Sequence, residues 1–102
     1  MNNPNMLRQL QQMQAKMARL QEELGGMTAT GTAGGGAVTV VANGHQQIQS
    51  VTIDPEALEE GVELLSDLVL AAVNAALEQS RELATQQMSQ LTAGLNLPPG
   101  LL

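Results

Sequence analysis

Ala37-Val-Thr-Val-Val-Ala42-Asn43-Gly44 is the stretch from which the rest of the chain can be read. The helical period of the flanking segments is lost here, and Ala37 to Ala42 reads as a strand. Asn43-Gly44 is the strongest short hairpin signal, because both central residues of a type I′ turn need positive φ. A returning strand is therefore expected from about Gln46 to Ile53. Its apolar residues stand at 48, 51 and 53, and this break in parity near Ser50 predicts a bulge or an uneven loop. On the other side, Met27 to Ala33 reads as a further strand, joined through Gly34-Gly35-Gly36. The centre of the chain, residues 27–53, is a small three-stranded antiparallel sheet.

Helical patterns flank it. Met6, Leu10, Met13, Met17, Leu20, Leu24 and Met27 recur at alternating spacings of four and three, a heptad seam. Asn3 can cap this helix, Pro4 suits its first turn, and Gly25-Gly26 ends it. So narrow a seam fits a helix lying along one neighbouring helix. Downstream, Asp54-Pro55 opens a short helical turn through Glu60, and Gly61 interrupts it. A long apolar-periodic helix then runs from about Val62 to Leu91 and stops at Gly94 and Pro98-Pro99. Its first half (Leu64, Leu65, Leu68, Val69, Leu70, Val73, Leu77) is apolar almost all round. Its second half keeps only Leu83, Met88 and Leu91.

The 102 residues make one domain of the α/β class, α+β in type. It comprises a basic helix (1–26), the sheet (27–53), further helices (54–93) and a flexible tail (94–102). About thirty helical residues span about 45 Å, too long for three short strands to cover. A second copy of the chain is the simplest cover, with Leu65, Leu68, Val69 and Val73 at the dimer interface.

Composition removes most chemistry. There are no Cys, Phe, Tyr or Trp and a single His. Disulfides, thiolate zinc sites, thiol nucleophiles and aromatic stacking platforms are thereby excluded. His45 alone cannot build an imidazole cage or serve a hydroxyl nucleophile with a complete relay. The run Gly31-Thr-Ala-Gly34-Gly35-Gly36 lacks the Gly-Lys-Ser/Thr ending of a phosphate loop and precedes no helix, so it reads as a hairpin loop. Asp54, Glu56, Glu59, Glu60 and Glu63 do not have calcium-loop spacing, and they suit the positive end of a helix dipole. No catalysis, cofactor or metal is expected. No stretch approaches the ~18 apolar residues of a membrane span. Met1 to Asn5 resembles no signal peptide, so a cytoplasmic location is expected.

The ten acids and four bases give a net charge of −6, and they are segregated. Residues 1–21 hold Arg8, Lys16 and Arg19 and no acid, whereas residues 22–102 hold Arg81 against every acid. At about 100° per residue, Arg8, Gln12, Lys16 and Arg19 fall within roughly one quadrant of the first helix, away from the Met/Leu seam. Such a ridge suits phosphate contact by the three cations, with Gln12 available for a base edge or sugar.

Several segments together resemble the YbaB/EbfC family of bacterial nucleoid-associated proteins. They are the Met/Gln-rich helix Met6 to Leu24, Val38-Thr39-Val40, Asn43-Gly44, Val51-Thr-Ile-Asp-Pro-Glu56, Glu63-Leu-Leu-Ser-Asp-Leu-Val69, Ala71-Ala-Val-Asn-Ala75, Met88 and Leu97-Pro-Pro-Gly100. The resemblance covers nearly the full length. It implies a tweezer-shaped homodimer that binds duplex DNA and coats or compacts the chromosome in the nucleoid, with a link to repair or replication proteins. Members of that family usually carry more Lys and Arg in both long helices. Here the last helix offers only Arg81 against Glu63, Asp67, Glu78 and Glu82, which leaves Arg8, Gln12, Lys16 and Arg19 as the expected DNA contacts. The rival reading is an acidic protein–protein adaptor of the same fold, which would have no need of segregated charge.

Overall fold

The fold, a computed structural model, describes residues 4–95. Helix α1 (Pro4–Gly26) leads into strands β1 (Thr28–Ala33), β2 (Val38–Asn43) and β3 (Ile48–Ile53). A 3-10 helix (Pro55–Glu60) and helix α2 (Val62–Leu95) follow. The sheet is antiparallel with β2 at its centre. Helix α2 runs to Leu95, past the expected stop at Gly94, and residues 96–102 of the expected tail lie outside the described residues, as does Asn3.

The expected break in β3 parity is a bulge. Val41 pairs with Ser50 but Ala42 pairs with Ile48, so Gln49 is the extra residue. Ile48, Val51 and Ile53 thereby share one sheet face with Val38, Val40 and Ala42. Helix α2 lies on that face over β1 and β2, and Val38, Val40, Ala42, Ala72 and Ala76 form the buried core. Small side chains permit the approach: a Cβ on Gly31 would stand 2.2 Å from the backbone nitrogen of Ala76 and 2.6 Å from the carbonyl oxygen of Ala72. Strand β3 is left largely uncovered, with Ile48 and Val51 exposed. Leu65, Leu68, Val69 and Val73, expected at a dimer interface, are half-buried against the protomer's own core.

The hairpin between β2 and β3 is present, but the turn differs from the expected type I′. Positive φ occurs at Gln46 and at neither Asn43 nor Gly44. Asn43 is the first residue of the turn, its carbonyl accepting from the Gln46 amide at 3.1 Å. Asn43 Oδ1 accepts from the amides of His45 and Gln47, an Asx arrangement that replaces the I′ geometry. Gly44 serves packing instead, since a Cβ there would lie 2.6 Å from the Leu24 carbonyl oxygen. The triple-glycine segment is a hairpin turn with positive φ at Gly34, Gly35 and Gly36. Asp54 caps the 3-10 helix, accepting from the Glu56 amide at 3.1 Å.

Beyond the sheet, α2 and α1 form a projecting arm. Along α2, Leu68 meets Gly34 and Ala72 and Ala76 meet Gly31, while Ser80 reaches Asn43 at the end of β2. Farther on, Gln87, Gln90 and Leu91 lie beside Lys16, Arg19 and Leu20, so the two helices are antiparallel. This is the single helical neighbour that the α1 seam called for. The molecule extends 70 × 22 × 16 Å with a gyration radius of 19.4 Å, against about 13 Å for a compact chain of 100 residues.

Candidate nucleic-acid interface

Burial along the α1 seam falls steadily from the sheet to the tip. Leu24 is 4% exposed and Leu20 6%, Met17 and Met13 are half-buried, and Leu10 and Met6 are 50% and 59% exposed. The sheet-proximal end of α1 is anchored where the Gly44 amide donates to the Leu24 and Met27 carbonyls at 2.9 and 3.1 Å. Farther out, Met13 and Met17 are adaptable, half-buried side chains, and beyond them the seam is exposed.

Arg8, Gln12, Lys16 and Arg19 are all exposed on the outer part of α1. Lys16 and Arg19 border an open groove between the helices, whose far wall is Gln87, Gln90 and Leu91 and whose sheet-proximal end includes Glu23. Gln87 and Gln90 were not among the residues expected from sequence. Each carries an amide donor and acceptor suited to phosphate, sugar or base edges. A hint existed in the composition, because no acid follows Glu82 in the chain. Helix pairing makes that hint spatial. Residues 4–21 of α1 and 83–95 of α2 form an arm with three cations and no acid.

The acids lie elsewhere. Glu22, Glu23, Glu78 and Glu82 surround the elbow where the arm leaves the sheet, with Arg81 exposed between Glu78 and Glu82. Asp54, Glu56, Glu59, Glu60, Glu63 and Asp67 occupy the 3-10 helix and the start of α2, at the opposite end of the molecule. About 36 Å of helix separates Glu63 from Gln87, several times the screening length of about 8 Å at physiological salt. Those six distal acids therefore act only weakly on an anion at the arm, whereas Glu23 stands in the groove beside Arg19.

No cluster of three or more His, Cys, Asp or Glu suited to a metal ion occurs among the described residues. His45 is exposed in the β2–β3 turn, and its ring lies against Gly25. No helix among the described residues is long and apolar enough to cross a membrane.

Comparison with known proteins agrees with this architecture. Residues 1–95 match the YbaB/EbfC DNA-binding family. A nucleoid-associated protein of Pelotomaculum thermopropionicum is 53% identical over 98 residues, covering 95% of this chain and 93% of the relative. One from Moorella thermoacetica is 53% identical over 100 residues, covering 96% of each, and one from Bacillus thuringiensis is 52% identical over 101, covering 98% and 93%. The crystal structure of an uncharacterized protein from Helicobacter pylori shares the fold, with a TM-score of 0.73 at 23% identity over 89% of this chain and 97% of the other. Continuous similarity of this extent, on a helix–sheet–helix chain with three of its four cations on one arm, makes the protein a member of the YbaB/EbfC DNA-binding family.

Proposed function

We propose that this is a non-enzymatic, nucleoid-associated protein that binds duplex DNA as a homodimer, with the helical arm as its DNA-contacting element. One observation carries the reading: three cations and no acid stand on an arm that projects from an otherwise acidic body. Arg8, Lys16 and Arg19 contact phosphates, and Gln12, Gln87 and Gln90 supply neutral hydrogen bonds beside them. Phosphate contacts carry little base information, so binding is largely indifferent to sequence.

Dimerisation accounts for the apolar surface that the protomer leaves open. Ile48 and Val51 on β3 and Leu70 on α2 are exposed, and Leu70 shares its side of α2 with the half-buried Val69 and Val73. A second copy laid over β3 and this side of α2 covers them, and two arms then project as tweezers. Pairing doubles the ridge to six cations. The setting that follows is the cytoplasmic nucleoid, in contact with the chromosome and with proteins of repair or replication.

The test is a duplex-binding titration across salt concentrations, alongside sedimentation equilibrium at micromolar protein. The expected species is a dimer whose logarithmic salt slope is no more than about 0.9 × 6, or roughly five. A slope near ten would mean that other surfaces bind DNA. No binding at low salt, with a basic protein recovered by pull-down even after nuclease treatment, would favour the adaptor. A stable folded monomer would remove the tweezers.

A further inference from the structure

Helix α2 carries one direction from the body into the arm, but where α1 leaves the body apolar packing alone cannot define how it lies along α2. Leu20 and Leu24 are buried there, but dispersion contacts are non-directional and the outer seam is methionine-rich. Hydrogen bonds are directional. Asn43 and Ser80, 5% and 0% exposed, are the buried polar residues among the described ones, and they meet at this elbow. Ser80 Oγ donates to the Asn43 carbonyl oxygen at 2.6 Å. Asn43 Nδ2 donates to the Gly25 carbonyl at 3.4 Å and to Gln47 Oε1 at 2.8 Å. Asn43 Oδ1 accepts from the amides of His45 and Gln47 at 2.9 and 3.0 Å. One strand residue thus ties together the end of α1, the β2–β3 turn and the middle of α2. No buried side-chain polar atom among the described residues lacks a partner, so the joint is fully satisfied.

We infer that Asn43 and Ser80 are positioning residues, a buried polar joint that sets how α1 lies against α2 and hence the placement of its basic ridge on DNA. The inference rests on the proposed DNA-binding role for its functional half only. Neither residue touches DNA. A satisfied buried polar pair specifies one geometry where a purely apolar contact would allow several, a registry role well attested for such groups. Gly44 adds closeness, because its bare Cα lets the Leu24 carbonyl approach.

Ser80→Ala removes one donor with little change of volume. Asn43→Asp preserves shape but replaces the Nδ2 donor with an oxygen facing two acceptors. The chain has no cysteine, so Gln14→Cys on the arm and Thr52→Cys on β3 accept spin labels cleanly. A doubly labelled protomer, diluted with unlabelled protein, reports the arm-to-body distance without DNA. Both variants should keep their helical circular dichroism and show a shifted or broadened distance distribution. Their salt slope for duplex DNA should fall by about 0.9 for each phosphate that the displaced arm no longer neutralises, although no arm charge has been removed. Val38→Ala, a core destabiliser remote from the joint, should leave distance and slope as in the parent. If Asn43→Asp fails to fold, Ser80→Ala decides. An unchanged distance distribution in folded Ser80→Ala overturns the joint and leaves the DNA role standing. A changed distribution in a protein whose parent binds no duplex supports the joint and removes the DNA role.

Discussion

The body is built on Val, Ala, Ile and Leu and the arm on Met and Leu, and the two are held differently. In the body, α2 approaches β1 so closely that Gly31, Ala72 and Ala76 leave no space for another methyl group. In the arm, the α1 seam goes from fully buried Leu24 to half-exposed Leu10. Tight packing makes the body intolerant of added volume, since interiors are close-packed and backbone cannot yield as side chains do. Looser packing makes the outer arm more tolerant of changed side-chain volume. Charge follows the same division, with three of the four cations on the arm and every acid on the body or at the elbow.

The largest effect should come from the body. Gly31→Ala places its Cβ against the α2 backbone, so α2 must lift from β1, with a loss of at least about 3 kcal/mol. Denaturant unfolding measures it, and a midpoint equal to the parent's would show the approach to be looser than described. The two ends of the α1 seam sharpen the contrast. Leu24→Ala should cost about 2–4 kcal/mol, within the range for buried leucines. Leu10→Ala, on the same seam and in the same helix, should change stability by less than about 0.5 kcal/mol. Equal losses at both positions would erase the distinction between arm and body. The smallest effect is expected from Gln87→Ala with Gln90→Ala. Duplex affinity should fall by at most about 1 kcal/mol with the salt slope unchanged, because neutral hydrogen bonds release no counterions.

These two regions also differ in how far the sequence discloses them. Periodicity alone identifies α1, α2 and the three strands, and the parity of Ile48, Val51 and Ile53 even locates the bulge, because side-chain direction in a strand alternates strictly. The ridge of Arg8, Gln12, Lys16 and Arg19 is likewise visible, since it lies on one helix. The turn at Asn43 is hidden. Asn-Gly favours a type I′ turn locally, but Asn43 accepts from the His45 and Gln47 amides and donates to the Gly25 carbonyl, which imposes another geometry, and Gly25 is far away in sequence. The groove formed with Gln87 and Gln90 is hidden for a similar reason. A heptad seam announces a neighbouring helix but does not say which residues of that neighbour it meets.

Replacing Arg8, Lys16 and Arg19 together with Gln tests the division most directly. Gln has a helix propensity close to theirs and leaves the Met/Leu seam intact, so fold and assembly should match the parent by circular dichroism and sedimentation. Duplex binding at low salt should fall to background on every sequence tried. A folded triple variant that binds duplex as tightly as the parent would contradict the account, and the arm's cations would be no more than a solvated face.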